Sequence, residues 1–254
     1  MKKTYAGQKA PFTTVMVQAN TADEVIALEK RAIAAGAEAL GIQTCRFPEE
    51  EKNIATYRRI FEAAGDLPTY VTHYRVKANE GKSDDELAKG LLEIAKAGAT
   101  IVDVMGDLFC KHSDELTDDP EAVEKQKKLI EAIHAEGAEV LMSSHTYKYI
   151  SAERILDIAE AQESRGVDVV KIVTHANSRA EEAEVLRAAT LLERTLKVPF
   201  MLLCGGSHHV MRRVGPYFGS CTWLTVLEYD ECATKSQPLL ADIQEIRRVI
   251  NMRE

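Results

Sequence analysis

The stretch Ala-Ala-Gly-Ala-Glu-Ala-Leu (34–40) joins the end of a helix-period segment to the start of an apolar run, and similar stretches occur three more times. The other copies are Lys-Ala-Gly-Ala-Thr-Ile-Val (96–102), Ala-Glu-Gly-Ala-Glu-Val-Leu (135–141) and Ser-Arg-Gly-Val-Asp-Val-Val (164–170). A glycine directly after a helix adopts the left-handed conformation that ends it. Each copy therefore predicts a helix, a terminating glycine and then a buried strand.

Outward from these copies, short runs rich in β-branched residues recur along the whole chain. The eight predicted strands cover residues 12–19, 39–45, 69–75, 100–105, 139–145, 168–174, 199–204 and 222–229. Helix-period segments lie between them, with start signals at Thr21, Ser83, Asp119, Ser151 and Ser178. Eight alternating units without a long linker predict one α/β domain over residues 1–254, a (β/α)₈ TIM barrel. The first strand is not followed by Gly-x-Gly-x-x-Gly, which argues against a dinucleotide-binding fold.

The composition points to a small-molecule partner. Asp plus Glu outnumber Lys plus Arg by 40 to 32, so we expect no nucleic-acid partner. The five cysteines are irregularly spaced, which is not typical of a disulfide framework. No apolar stretch has the length of a membrane span or the pattern of a signal peptide. We therefore expect a cytoplasmic protein that does not bind membranes.

Lys171 lies in the middle of the apolar run Val-Asp-Val-Val-Lys-Ile-Val-Thr (167–174). An unpaired ammonium is costly there, so the lysine either pairs with an acid, for which Asp103 is a possible partner, or serves as an amine. A desolvated amine attacks a carbonyl carbon to form a Schiff base. His145 ends the preceding strand and supplies a proton carrier.

Other polar residues fall at the carboxyl ends of the predicted strands, where TIM-barrel active sites are found. They are Arg46, Arg75, Arg212 and Gln237. A guanidinium fork matches a carboxylate, which predicts an anionic substrate, although single arginines also form ion pairs at the rim.

Two further patterns allow other chemistry. His73, His145 and His175 are candidate metal ligands at the same mouth, but the acids expected beside them are not evident. The turn Gly205-Gly206-Ser207 either binds phosphate at a helix N-terminus or is a simple tight turn. We expect neither a metal nor a cofactor.

Three segments resemble the type I 3-dehydroquinate dehydratases, barrel enzymes that form 3-dehydroshikimate through a lysine imine. Val-Leu-Met-Ser-Ser-His-Thr-Tyr (140–147) resembles the family's histidine segment, and Asp-Val-Val-Lys-Ile-Val (168–173) resembles its Schiff-base strand. Met-Arg-Arg-Val-Gly-Pro-Tyr-Phe-Gly-Ser (211–220) resembles its arginine segment. The resemblance implies that Lys171 forms the imine and His145 carries the proton. It assigns the substrate carboxylate to Arg212, with Arg213 as the near alternative.

The resemblance also implies that Gln237 binds the carboxylate, that Arg75 and Arg46 line the hydroxyl side of the substrate, and that Glu80 orients His145. The chain departs from the family pattern at Met16, Thr44, Met105, Thr146 and Ala233. Buried polar contacts discriminate strongly between substrates, by about 1–3 kcal/mol each. The departures leave open a paralogue that acts on another β-hydroxy ketone acid. Two rivals from other classes are a class I Schiff-base aldolase and a non-enzymatic or metal-dependent barrel that uses His73, His145 and His175. We also expect a homodimer.

Overall fold

The computed structural model describes residues 4–251, in which eight parallel strands alternate with eight α-helices. The strands are β1 (Phe12–Val17), β2 (Ala39–Gln43), β3 (Thr69–Thr72), β4 (Ile101–Met105), β5 (Glu139–His145), β6 (Val169–His175), β7 (Phe200–Gly205) and β8 (Thr222–Thr225). The helices are α1 (Ala22–Ala34), α2 (Ile54–Ala63), α3 (Asp84–Ala97), α4 (Pro120–Ala135), α5 (Ala152–Glu163), α6 (Arg179–Thr195), α7 (Met211–Val214) and α8 (Leu240–Asn251).

The strands form one sheet in the order β7-β6-β5-β4-β3-β2-β1-β8: β1 to β7 pair in sequence order and β8 pairs with β1, which leaves a gap between β7 and β8. The remaining gap is bridged where Cys221 N–H donates to the Phe200 carbonyl at 2.8 Å. This nearly closed ring confirms the predicted (β/α)₈ barrel. The predicted extent of 1–254 reaches beyond the described residues at both ends.

The predicted helix boundaries rest on local hydrogen bonds that the structure contains. The five start residues cap their helices through side-chain oxygens, and Thr21 and Ser83 form full capping boxes. The glycines of the four repeated stretches have φ between 85° and 103°. Because a side chain strains that conformation, glycine ends each helix where the sequence predicts.

Two apolar layers surround the strands. The outer layer packs between the sheet and the helices, and the inner layer fills the barrel with Phe12, Tyr70, Leu141, Val169 and Met201 among others. Alternate residues along a strand face opposite layers. This alternation decides which polar residues of the strands point into the barrel.

Several strands end earlier than predicted at the mouth of the barrel. β2 ends at Gln43 because Thr44–Arg46 forms a 3₁₀ turn, and β3 ends at Thr72. The Thr44 hydroxyl donates to the Thr72 carbonyl at 3.0 Å and occupies an acceptor that a continuing β2 would use. Residues after these points therefore belong to loops, where strand alternation no longer predicts side-chain direction.

Glu29 is a fully buried acid on the core-facing side of α1. Neither carboxylate oxygen has a hydrogen-bond partner among residues 4–251. Burial raises the pKa of Glu29 from 4.5 to about 8. The folded protein therefore binds more protons than the unfolded chain between these values, and its stability falls as the pH rises through this window.

Replacing Glu29 with glutamine is expected to stabilise the protein above pH 8 by up to about 5 kcal/mol and to change little below pH 4.5. Urea unfolding of both proteins at pH 4.5, 6.5 and 8.5 measures this difference. Glu62→Gln, at an exposed position of α2, is the control and should show no such trend. A pH-independent difference for Glu29→Gln would contradict the prediction.

Candidate active site

A cavity of about 430 Å³ opens at the carboxyl ends of the strands. Its polar lining residues are Gln43, Tyr70, Thr72, Tyr74, His145, Tyr147, Lys171, His175, Arg212, Thr234, Ser236 and Gln237. Four of the predicted site residues, namely Lys171, His145, Arg212 and Gln237, are among them. The fold therefore brings together residues that are up to 92 positions apart in the chain.

Lys171 points into the barrel because it lies two positions from both Val169 and Val173 and so shares their face of β6, which belongs to the inner layer. Its side chain is 5% exposed. The Nζ atom donates to Tyr70 Oη at 2.7 Å, Tyr74 Oη at 2.8 Å and Asp103 Oδ2 at 3.2 Å. The ion pair with Asp103 that the sequence allowed is therefore present. Lys171 nevertheless also lines the cavity.

Asp103 gathers four donors around one buried carboxylate. Ser143 Oγ donates to Oδ1 at 2.6 Å, while Tyr70, Tyr74 and Lys171 donate to Oδ2. These bonds compensate the desolvation of the charge. Burial, reinforced by the Asp103 charge, raises the pKa of both phenols well above 10. Both tyrosines are therefore neutral proton donors at neutral pH.

His145 ends β5 and is held by Glu115 of the loop after β4. One carboxylate oxygen, Oε2, lies 2.6 Å from His145 Nδ1 and accepts the His145 backbone N–H at 2.7 Å. The Nδ1–H bond to the carboxylate leaves Nε2 as the proton-accepting nitrogen. The His145 ring also stands edge-on to Tyr74, with 5.4 Å between ring centroids.

Glu80 does not take the predicted role of orienting His145. Glu80 is the residue after a 3₁₀ turn, Lys77–Asn79, in the loop after β3, and its side chain is exposed. Glu115 takes that role from a different loop and adopts a left-handed backbone conformation with φ 49°. Spacing along the chain misplaced the acid because the path of the β3 loop is set by packing that the sequence does not reveal.

Arg212 is a buried cation in the cavity wall. Its Nε donates to the Cys204 carbonyl at 2.8 Å, and within residues 4–251 no acid forms an ion pair with it. Burial lowers the pKa of Arg212 to about 10, so it remains charged at neutral pH. The predicted near alternative, Arg213, does not line the cavity. An anion that enters the cavity would compensate the Arg212 charge.

Gln237 and His175 add two unsatisfied polar groups near Arg212. In the part of the chain that the structure describes, Gln237 Oε1 and His175 Nδ1 are buried without hydrogen-bond partners. Burial and the charge of Arg212 both lower the pKa of His175, which is therefore neutral at neutral pH. Buried polar atoms without partners are costly, so this wall is suited to a polar ligand.

Arg75 and Arg46 do not line the cavity, contrary to the expected contacts with substrate hydroxyls. Arg75 is held by Asp84 and Asp107, each at 2.6 Å, which is the rim ion-pair arrangement that the sequence also allowed. Arg46 donates to Gln43 Oε1 and to the Cys232 carbonyl, both at 2.9 Å. Arg46 therefore contacts the cavity residue Gln43 and the loop after β8, but not the cavity itself.

Gln43 is a cavity residue that the family pattern did not reveal. Thr44, where the chain departs from the family pattern, is fully buried, and its hydroxyl lies 2.7 Å from His73 Nδ1. Gln43 lines the cavity instead. The signal that could have identified it is strand spacing. Gln43 lies four positions after Ala39 and therefore faces the inside of the barrel, as Ala39 does.

The two other patterns do not form ligand sites. His73 packs against α3 outside the cavity, and no group of three His, Cys, Asp or Glu side chains among residues 4–251 is arranged to hold a metal ion. Ser207 N–H donates to Asn177 Oδ1 at 3.2 Å, and α7 beyond it has only four residues. The Gly205-Gly206-Ser207 stretch is therefore a tight turn.

The fold and the site define a (β/α)₈-barrel protein whose cavity is lined by a lysine, by a histidine paired with a carboxylate and by a buried arginine. The model of the family "Type I 3-dehydroquinase" matches residues 13–254, and the chain belongs to that family. The family takes its name from 3-dehydroquinate dehydratase, a lyase.

Known relatives resemble the chain over different extents. The curated 3-dehydroquinate dehydratase of Pyrococcus abyssi is 25% identical over 115 residues, which is 45% of this chain and half the length of that relative. The Geobacillus kaustophilus 3-dehydroquinate dehydratase structure has a TM-score of 0.82 at 17% identity. The match covers 97% of this chain and 93% of that one. The structure of the Clostridium difficile type I 3-dehydroquinate dehydratase with covalently modified comenic acid has a TM-score of 0.81 at 17% identity. The match covers 98% of this chain and 96% of that one. At such identities the structures establish the fold.

Proposed function

We propose that the protein dehydrates 3-dehydroquinate to 3-dehydroshikimate through an imine on Lys171. One observation supports this: a single cavity is lined by Lys171, by His145, which Glu115 holds from behind, and by Arg212, which has no acid partner in the described ranges. Elimination of water from a β-hydroxy ketone acid by the imine route uses an amine, a proton carrier and a site for the carboxylate. This chemistry needs neither a metal nor a cofactor.

In the proposed reaction Lys171 condenses with the substrate ketone, and water leaves. The positive charge of the resulting iminium acidifies the neighbouring C–H bond, and Nε2 of His145 takes that proton. The enamine then expels the β-hydroxyl, which leaves as water with the proton that His145 returns. Hydrolysis of the product imine releases the enone and restores Lys171.

Borohydride trapping with 3-dehydroquinate tests this function. Hydride reduces the imine to a stable secondary amine, so intact mass should rise by one adduct and peptide mapping should place it on Lys171. Without borohydride the conjugated enone should appear as an increase in ultraviolet absorbance. Absence of both signals would refute the proposal.

Arg212 and Gln237 would bind the substrate carboxylate. Replacing Arg212 with glutamine is expected to raise KM for 3-dehydroquinate about 30- to 160-fold, because a charge-assisted bond of about 2–3 kcal/mol is lost. The value of kcat should fall much less, since the lost contact is present in both ground and transition states. Steady-state kinetics measures both parameters.

Arg213→Gln is the matched control for Arg212, because Arg213 is the next residue but does not line the cavity. Its KM should stay close to that of the unaltered protein. Equal rises in KM for the two variants would show that the Arg212 effect does not come from substrate binding.

A β-hydroxy ketone acid other than 3-dehydroquinate is the second candidate substrate. It is favoured by the hydroxyl side of the cavity, where Arg46 and Arg75 are engaged elsewhere and Met16 and Gln43 form the wall. Assays of related β-hydroxy ketone acids distinguish the two substrates. Carbon–carbon cleavage products, in place of water loss alone, would identify a Schiff-base aldolase.

The homodimer and the cytoplasmic location stay predictions. No helix in the described part of the chain is long and apolar enough to cross a membrane. Sedimentation equilibrium measures the oligomeric state, and a mass of one chain at micromolar concentration would contradict the dimer.

A further inference from the structure

Two tyrosine hydroxyls contact the amine of Lys171, and the reaction proposed above uses neither. Tyr70 and Tyr74 come from β3 and the loop that follows it, and their Oη atoms lie 2.7 Å and 2.8 Å from Nζ. Their neutral phenols are acids placed against the nitrogen that would form the imine.

The two tyrosines differ in their access to the cavity mouth. Tyr70 is 1% exposed, and its ring lies in the inner layer beside Tyr5 at the closed end of the barrel. Tyr74 lies beyond the end of β3, is partly exposed and faces His145. A substrate that approaches Lys171 from the mouth meets Tyr74 first.

Tyr74 also has a source of protons. Its hydroxyl donates to Asp103 Oδ2 at 2.5 Å, and the same oxygen accepts from Lys171. Asp103 Oδ2 can therefore take a proton from Lys171 and pass it to Tyr74 once the Tyr74 hydroxyl has turned its own proton toward the substrate oxygen. Among the hydrogen bonds of the described residues, none joins His145 to Lys171, whereas His145 has its own acid in Glu115.

We propose that Tyr74 is a catalytic residue of imine formation: it protonates the oxygen that leaves the carbinolamine, and Asp103 returns the proton to it. The inference rests on the proposed function in one respect, because it assumes an imine on Lys171. It assigns formation and dehydration of the carbinolamine to Tyr74 and Asp103, and C–H cleavage and loss of the substrate β-hydroxyl to His145 and Glu115.

The proton balance closes within this group. The Lys171 ammonium gives one proton to Asp103, and the neutral amine attacks the ketone carbon while the carbonyl electron pair moves to oxygen. Tyr74 protonates that oxygen and is reprotonated by Asp103, which takes a second proton from nitrogen. Tyr74 then protonates the hydroxyl, the C–O bond breaks, and Asp103 restores the phenol. The three ammonium hydrogens end as one on the iminium nitrogen and two in water.

Imine formation can be isolated in a His145→Ala background, where elimination is blocked. We expect Tyr74→Phe in that background to slow formation of the borohydride-trapped adduct with 3-dehydroquinate by about 10²-fold or more, the usual worth of a positioned acid. Quenched-flow mixing followed by intact mass measures the rate. Tyr70→Phe should slow it less, because that hydroxyl only positions Lys171 and Asp103.

Tyr5→Phe is the control for loss of a buried phenol, since Tyr5 is bonded to Thr14 at the opposite end of the barrel. It should leave the adduct rate unchanged. Equal slowing by Tyr70→Phe and Tyr74→Phe, or no slowing by Tyr74→Phe, would overturn the role of Tyr74 while the imine itself stands. Absence of any adduct with the unaltered protein would instead overturn the proposed function, and this inference with it.

Discussion

Lys171→Ala is expected to lower kcat/KM for 3-dehydroquinate by about 10⁴-fold or more and to abolish the borohydride adduct. The reason is that no other amine lies in the described cavity lining, so the covalent route is lost. Folding should be retained, because Asp103 keeps the donors Ser143, Tyr70 and Tyr74. Enone absorbance and intact mass measure the two effects, and thermal unfolding tests the fold.

Lys197→Ala is the control, since Lys197 is exposed just before β7 at the opposite end of the barrel. Its activity and its adduct should match those of the unaltered protein. Turnover by Lys171→Ala near the normal rate would refute the imine mechanism.

His145→Ala is expected to lower kcat by about 10²- to 10⁴-fold, the range for loss of general acid–base catalysis. The imine should still form and accumulate, because Lys171 keeps all its hydrogen bonds. Intact mass after borohydride trapping would then show, as the main species, the reduced imine of the substrate with its β-hydroxyl still present. Loss of the adduct together with loss of turnover would assign His145 to imine formation instead.

Glu115→Gln separates two effects of Glu115 on His145, namely the orientation of the ring and the negative charge beside it. The amide oxygen can still accept the Nδ1–H bond, but it cannot stabilise the imidazolium that forms during proton transfer. We expect a fall in kcat of about 10- to 100-fold, the difference made by a charge-assisted bond. His134→Ala is the control, because His134 pairs with Asp168 away from the cavity.

Much of the fold follows from local chemistry. Glycines after helices, capping side chains before them and apolar runs between them act over a few residues, so each can be recognised without knowing the rest of the chain. The barrel then follows from the regular alternation. The strand ends were less predictable, because Thr44 ends β2 through a bond to the neighbouring strand.

The site could be predicted only in part. Lys171 and His145 lie on strands, where a polar residue in an apolar run is conspicuous and its direction follows from alternation. Glu80 and Arg75 lie in the loop after β3, where neither direction nor partner follows from spacing. The same limit hid Glu115, which reaches His145 from a loop 30 positions earlier in the chain.

The sequence by itself determined the order of strands and helices, the helix ends, and the presence of a lysine and a histidine on adjacent strands. Only the tertiary structure decided that Glu115 orients His145, that Tyr70, Tyr74 and Asp103 surround Lys171, and that Gln43 faces the cavity. The physical reason is range: capping and alternation act within a few residues, whereas contacts at the mouth depend on how separate loops pack against one another.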